Sequence, residues 1–180
     1  MLLPFFVIVS ILIVVNSGFP VFYFQTRVGK KSKNFNLIKF RTMDADADKK
    51  GLLTVGGRDA RITAIGYFLR KYKIDELPQL CNVLVGSMSL VGPRPEVSKY
   101  VDLYNVQQLQ VLNVKPGITD LASLEFINEN ELLAQSTNPE ETYINTIMPQ
   151  KLALNLKYIN QQSFGTDVKI IFNTLLKIVK

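Results

Sequence analysis

The sequence contains no histidine among its 180 residues. This absence excludes Ser-His-Asp and Cys-His catalysis and any metal site built on histidine. Acid–base or nucleophilic chemistry must therefore come from Asp, Glu, Lys, Tyr, Ser or the single cysteine, Cys81. One cysteine cannot form an internal disulfide, which indicates a reducing compartment.

Acidic residues are fewer than basic ones: 15 Asp and Glu against 21 Lys and Arg give a formal net charge of +6. This balance favours anionic partners such as phosphates, nucleic acid or a lipid surface. Hydrophobic residues nevertheless make up 47% of the chain, which suits a membrane-surface protein better than a soluble nucleic-acid binder. Because no known nucleic-acid-binding motif is present, we expect no nucleic-acid partner.

The N-terminal run MLLPFFVIVSILIVV, residues 1–15, is almost wholly apolar. It is shorter than the roughly 20 residues of a full membrane span, and it lacks the basic start and cleavage site of a secretory signal. Aromatic residues in Phe19–Phe24 suit the lipid–water interface, and the basic residues that follow favour the cytoplasmic side. A buried core helix is the alternative, but the run has no polar face, so we favour membrane insertion. We predict a membrane-inserted segment, residues 1–24, and a cytoplasmic domain, residues 25–180.

Residue patterns predict the local structure of the cytoplasmic part. Phe35–Met43 alternates loosely, which is typical of a strand, whereas Asp44–Gly51 is a polar loop and Val114–Thr119 a turn. Helical spacing of apolar residues predicts helices over Ile62–Tyr72, Val97–Leu112, Asn128–Ala134, Pro149–Asn160 and Asp167–Lys180. The last of these suits a helix lying on a membrane, or a core helix with snorkelling lysines.

The segment KIDELPQL, Lys73–Leu80, places two carboxylates next to each other, Asp75 and Glu76. We predict that Asp75 is the N-cap of a helix, because Pro78 then falls in the first turn, where a missing N–H costs little. A cap and a favourable first-turn charge is the simplest interpretation. A helix N-terminus also attracts phosphate, and a carboxylate can attack phosphorus or hold Mg²⁺.

Arginines are scattered through the same part of the chain: Arg41, Arg58, Arg61, Arg70 and Arg94. Arg94 lies between Pro93 and Pro95, whose fixed φ angles hold its guanidinium on a stiff backbone. Such a fork suits phosphate oxygens, although a surface salt bridge of little energetic value is the alternative. The residues together indicate phosphoryl chemistry at a membrane surface and leave the substrate unnamed.

The chain resembles the bacterial sugar transferase family, the small monotopic phosphoglycosyl transferases. The matching segments are Gln25–Met43 with KFRTM, Gly57–Glu96 with DELPQL and GPRP, and Val114–Thr119 with VKPGIT. The resemblance implies a single α-rich α/β domain with an N-terminal membrane-inserted helix and interfacial amphipathic helices. It also implies a location at the cytoplasmic face of the bacterial inner membrane.

The resemblance further implies a reaction. Such enzymes transfer a sugar-1-phosphate from a UDP-sugar to undecaprenyl phosphate or another polyprenyl phosphate and release UMP, with Mg²⁺ required. This is the first membrane step of polysaccharide or glycan biosynthesis. By resemblance, Asp75 is the nucleophile, forms a covalent phosphosugar intermediate and contacts the metal, while Glu76 assists proton handling. Arg41, Arg70 and Arg94 match substrate-binding positions, and the family's membrane-facing surface permits a homodimer.

Two features depart from the family pattern. Pro4 occupies the position where the family's membrane helix breaks, but Leu3 precedes it in place of Ser and no ascending half comes before it, so we expect a truncated re-entrant hairpin. Residues 120–123 replace a Gly-Trp-Ala pattern that follows KPGIT in many members, and the segment LEFINENELLAQSTNPEETY after them is acidic. We expect sugar preference to differ in this region. The alternative function is a non-catalytic, basic, membrane-bound scaffold of a glycan assembly complex.

Overall fold

The structure, a computed structural model, describes residues 3–45, 47, 51, 53–56 and 59–179, with the side chain of residue 179 excepted. Half of the predicted loop at 44–51, and Arg58, lie outside the described residues. The helices are α1 (Leu3–Ser17), α2 (Ala64–Lys71), α3 (Gln79–Leu84), α4 (Ser98–Val101), α5 (Leu121–Glu125), α6 (Glu129–Ala134), α7 (Pro139–Thr142), α8 (Met148–Asn160) and α9 (Phe164–Val179). The strands are β1 (Phe22–Val28), β2 (Asn34–Phe40), β3 (Ser89–Val91) and β4 (Gly117–Thr119). This mixed arrangement confirms an α-rich domain that combines helices and sheets.

The strands form two small sheets. β1 and β2 pair antiparallel, with Phe22 opposite Phe40 and Val28 opposite Asn34. β3 and β4 pair parallel, so the last three residues of the predicted turn at Val114–Thr119 form a strand instead. The turn prediction was wrong there because Pro-Gly punctuation does not reveal a partner strand far away in sequence.

The prediction of one helix over Val97–Leu112 was also wrong. Only α4 and a 3₁₀ turn, Gln108–Asn113, form within this range. Asn105 and Gln108 explain the interruption, since the side chain of each accepts a hydrogen bond from the other's backbone N–H, both at 2.9 Å. This reciprocal capping starts a new turn instead of continuing the old helix.

Three apolar clusters hold the elements together. One joins α1 to β2 and α2 through buried Val9, Ile13, Phe40 and Leu69. A second, around Tyr143, Met148 and Leu152, lies between α8, the π-helical segment Tyr143–Ile147 and α4. A third packs β3 against α8 and α9 through Val91, Tyr158 and Ile170. The protein therefore buries only one side of α1 and of α9.

The remaining sides of these helices are apolar and exposed. Val15 is 81% exposed on α1, and Phe164 and Phe172 are 86% and 60% exposed on α9. Leu84 and Val85, at the end of α3, are similarly open. Within the part of the chain that the structure describes, no helix has both the length and the hydropathy needed to cross a membrane.

Candidate active site

The acidic pair lies in a 3₁₀ turn, Ile74–Glu76, between α2 and α3. Lys73 adopts a left-handed conformation (φ 54°, ψ 21°) and turns the chain at the end of α2. Asp75 is therefore not an N-cap: α3 begins at Gln79, with Pro78 at the cap position. The chain instead forms i→i+3 bonds here: the Leu77 N–H donates to the Ile74 carbonyl at 3.1 Å and the Leu80 N–H donates to the Leu77 carbonyl at 3.0 Å, so α-helical bonding starts only after Pro78.

Glu76 is buried and bound by two cations. Its Oε1 atom accepts from the Lys39 ammonium at 2.9 Å and from the Arg94 guanidinium at 2.5 Å. Burial alone would raise the pKa of Glu76, but Arg94 and Lys39 outweigh it and hold the pKa well below its usual range. Burial in turn lowers the pKa of Lys39, against the opposing field of Glu76. Glu76 is therefore a fixed carboxylate.

Asp75 has a different environment although it is the next residue. It is 6% exposed, and its buried Oδ1 atom has no hydrogen-bond partner among the described residues. Burial raises the pKa of Asp75, Lys39 lowers it and the charge on Glu76 adds to the rise. The pair thus consists of one carboxylate saturated by cations and one with an oxygen left over for a ligand.

Arg94 reaches Glu76 from the loop that follows β3. Gly92 and Gly117 bring this loop against β4: a Cβ on Gly117 would lie 2.1 Å from the backbone nitrogen of Gly92. The Gly117 N–H donates to the Pro93 carbonyl at 3.0 Å. On the other side, Arg27 donates to the Pro95 carbonyl at 3.0 Å. The stiff turn expected from the two prolines is therefore also tied to its neighbours.

The other two predicted arginines lie in different surroundings. Arg70, on α2, donates to Thr42 Oγ1 at 2.9 Å and to Thr54 Oγ1 at 3.3 Å, and no ion pair of Arg70 is found within the described ranges. Burial lowers the pKa of Arg70, and the field of Asp75 is the largest effect against it. Arg70 thus lies within the electrostatic field of Asp75.

Arg41 instead binds the C-terminal end of α1. Its terminal nitrogen donates to the Ser17 and Gly18 carbonyls at 2.8 and 2.5 Å and to Ser17 Oγ at 3.0 Å. These contacts satisfy carbonyls that a helix end leaves without partners. Substrate binding by Arg41 stays a prediction, and the contacts shown are structural.

The site therefore combines a turn, in which one carboxylate oxygen has no partner within the described ranges, with a loop that holds Arg94 in place. This combination suits an anionic, phosphorylated substrate. The bacterial sugar transferase family model matches the chain over residues 1–180. The chain belongs to the bacterial sugar transferase family.

Relatives within this family differ in length. The uncharacterized sugar transferase EpsL of Bacillus subtilis is 40% identical over 162 residues, which are 90% of the chain and 71% of EpsL. An Aeromonas hydrophila protein named UDP-N-acetylgalactosamine-undecaprenyl-phosphate N-acetylgalactosaminephosphotransferase is 34% identical over 98% of the chain and 39% of its own length. The Escherichia coli UDP-glucose:undecaprenyl-phosphate glucose-1-phosphate transferase is 33% identical over 97% of the chain and 36% of its own length. The chain thus spans little more than a third of these two longer relatives.

The family implies a divalent metal, and Asp75 fits one. Its Oδ1 atom is buried and has no partner in the described part of the chain, and a carboxylate oxygen is a preferred ligand of Mg²⁺. No cluster of three metal-ligating side chains occurs in the described part of the chain. Mg²⁺ usually needs only one or two protein carboxylates, because substrate phosphates and water supply the rest. Asp75 would therefore supply one carboxylate ligand of such a metal.

Sequence reasoning missed three residues that shape the site. Lys39 is one strand position from Phe40, and this alternation sends Phe40 to the core and Lys39 to Glu76. Asn82 joins α3 to β2, since its side chain accepts from the Ile38 N–H and donates to the Asn36 carbonyl. The third residue, Asp120, is fully buried. Only the alternation around Lys39 could have been recognised in the sequence.

Proposed function

We propose that this family member transfers a sugar-1-phosphate from a UDP-sugar to undecaprenyl phosphate, and that Asp75 carries the sugar phosphate between the two substrates. The observation that carries this proposal is the buried Oδ1 of Asp75, which has no partner among the residues that the structure describes, beside a Glu76 that two cations already neutralise. The names of the Aeromonas and Escherichia coli relatives support the acceptor lipid and the reaction class.

The proposed chemistry has two displacements at one phosphorus atom. An Asp75 carboxylate oxygen attacks the phosphorus that bears the sugar, forming a P–O bond, while the bond to the bridging oxygen breaks and UMP leaves with the electron pair. A phosphate oxygen of undecaprenyl phosphate then attacks the same phosphorus. The bond to Asp75 breaks, its electron pair returns to the carboxylate, and the lipid diphosphate sugar is released.

The cations around the pair suit this chemistry. Phosphoryl transfer depends mainly on positioning and on stabilising negative charge. The Arg94 guanidinium binds Glu76, and Arg70 lies within the electrostatic field of Asp75. The low pKa of Glu76 makes it a weak base. We therefore assign Glu76 to holding Lys39 and Arg94 beside Asp75, and proton handling by Glu76 stays a prediction from the resemblance. Mg²⁺ bound at Asp75 would neutralise charge on the diphosphate oxygens.

The exposed apolar residues support binding to a membrane. The open sides of α1 and α9 and the end of α3 present bulky apolar side chains, and the lipid acceptor must be reached at a bilayer surface. We place the protein on the cytoplasmic face of the bacterial inner membrane, as the resemblance implies, with α9 in the interface. The division at residue 24 and a homodimer stay predictions.

Purified protein with undecaprenyl phosphate, Mg²⁺ and a panel of UDP-sugars tests the function, with UMP release as the readout. We expect UMP release with at least one UDP-sugar. Repeated turnover should require the lipid. The matched control is Asp102→Asn, an Asp-to-Asn change at an exposed position, which should keep the rate, whereas Asp75→Asn should abolish it. No UMP from any UDP-sugar by folded protein would contradict the proposal and favour the scaffold alternative.

A further inference from the structure

Asp120 is a fully buried carboxylate outside the acidic pair. It follows β4 and is the N-cap of α5, where its Oδ1 atom accepts from the Ser123 N–H at 2.6 Å. Its relative exposure is 0%. Capping needs only one oxygen, and serine, threonine or asparagine would serve as well. A buried charge is costly, so capping alone does not explain a carboxylate here.

The second oxygen of Asp120 binds the loop that carries Arg94. Oδ2 accepts from the Arg94 backbone N–H at 3.2 Å. Because Pro93 and Pro95 have no N–H, this group is the sole backbone donor of the Pro-Arg-Pro turn. The β3–β4 pairing brings the two together, since the Gly92 N–H donates to the Thr119 carbonyl at 3.0 Å, one residue before Asp120.

We propose that Asp120 is a positioning residue for the transfer reaction, which fixes the backbone of Arg94 so that its guanidinium meets Glu76 beside Asp75. The Gly117 N–H binds the Pro93 carbonyl, and the Arg27 guanidinium binds the Pro95 carbonyl. Asp120 binds the N–H of the Pro93–Arg94 peptide, whose carbonyl Gly117 holds, and so fixes both ends of this peptide and places a negative charge near the arginine. In agreement, Glu76 first and Asp120 as a further charge raise the pKa of Arg94. This inference rests on the proposed function.

Asp120→Asn separates the two roles of the carboxylate. Asparagine keeps an oxygen for the cap of α5, but its amide nitrogen cannot accept from the Arg94 N–H. We expect kcat to fall about 10-fold, because the Arg94 guanidinium is no longer held in its position beside the acidic pair. Asp120→Asn should therefore cost less than about 2-fold when added to Arg94→Ala, since the two changes remove the same contribution. The matched control is Asn138→Ala, which removes the side-chain cap of α7 far along the chain and should leave kcat unchanged.

A second readout needs no turnover. Hydrogen exchange at the Arg94 amide should be at least 10-fold faster in Asp120→Asn than in the native protein or in Asn138→Ala. If native protein releases no UMP, the proposed function fails, while the exchange rates still show whether Asp120 fixes this peptide. Should Asp120→Asn not fold, Asp120→Ser keeps the cap and also loses the second oxygen. Three results would overturn the positioning role. Asp120→Asn could lower kcat equally in the native and the Arg94→Ala backgrounds, it could leave exchange of the Arg94 amide unchanged, or both Asp120 variants could fail to fold.

Discussion

Glu76 forms ion pairs with both Lys39 and Arg94. We therefore expect the free energy of unfolding to fall more when the charge of Glu76 is removed than when Lys39 is removed. Glu76→Gln leaves Lys39 and Arg94 facing each other without a carboxylate. Removing one member of a buried ion pair typically costs 3–5 kcal/mol. The side chain of Arg94 is 33% exposed while that of Glu76 is 11% exposed, so solvent screens part of the effect. We expect a loss of about 3 kcal/mol in the free energy of unfolding.

Lys39→Met should cost less, because Arg94 still binds both carboxylate oxygens of Glu76. Losing one charged hydrogen bond corresponds to about 1.5 kcal/mol. Urea unfolding in a non-ionic detergent, followed by circular dichroism, measures both variants. With an m-value of about 2 kcal/mol/M, the two midpoints should differ by about 0.7 M. The double variant should lose at least about 1 kcal/mol less than the sum of the singles. Equal midpoints for the single variants, or strict additivity, would refute this arrangement of charges.

Three further predictions concern other contacts. Arg41→Met should lower the free energy of unfolding by about 2 kcal/mol, because the end of α1 loses its donors, with KM for the UDP-sugar unchanged; a raised KM with normal stability would instead support substrate binding. Gly117→Ala should abolish UMP release, because the new Cβ would lie 2.1 Å from the backbone nitrogen of Gly92. The control Gly165→Ala should stay active, because nothing lies within 4 Å of its new Cβ. Equal activity of the two variants would contradict this packing. Arg61 lowers the pKa of Asp59 from 3.8 to about 2 through a hydrogen bond. The ionised Asp59 therefore stabilises the folded protein fully above about pH 4, and this stabilisation disappears as the pH falls toward 2. The urea midpoints of native protein and Asp59→Asn should converge over that range, and a difference independent of pH would contradict the prediction.

The motifs of the sequence predicted which residues lie together better than they predicted the local structure. The adjacent carboxylates and the Pro-Arg-Pro turn are visible as residues, and the structure brings Glu76 and Arg94 within hydrogen-bond distance. The N-cap assigned to Asp75 was wrong because Pro78 permits either the first turn of an α-helix or the 3₁₀ turn that the chain forms at Ile74–Glu76. Local rules do not decide between these two conformations.

Long-range contacts account for what the sequence could not predict. The role of Asp120 depends on the parallel pairing of β3 with β4, whose strands are three residues long and lie far apart in the chain. Arg41 illustrates the same point, since its partners at the end of α1 precede it by 23 and 24 residues. Short strands and distant caps leave no periodic pattern in the sequence.

The central claim is that Asp75 carries the sugar phosphate, and pre-steady-state UMP release without acceptor lipid tests it most directly. A covalent intermediate predicts a rapid burst of about one UMP per active enzyme in the native protein, with a matching sugar-phosphate mass on the peptide that contains Asp75. The burst and the added mass should both be absent from Asp75→Asn and present in Asp102→Asn. Lipid-dependent turnover by the native protein with no burst and no added mass would contradict the account, because the sugar phosphate would then pass directly from nucleotide to lipid.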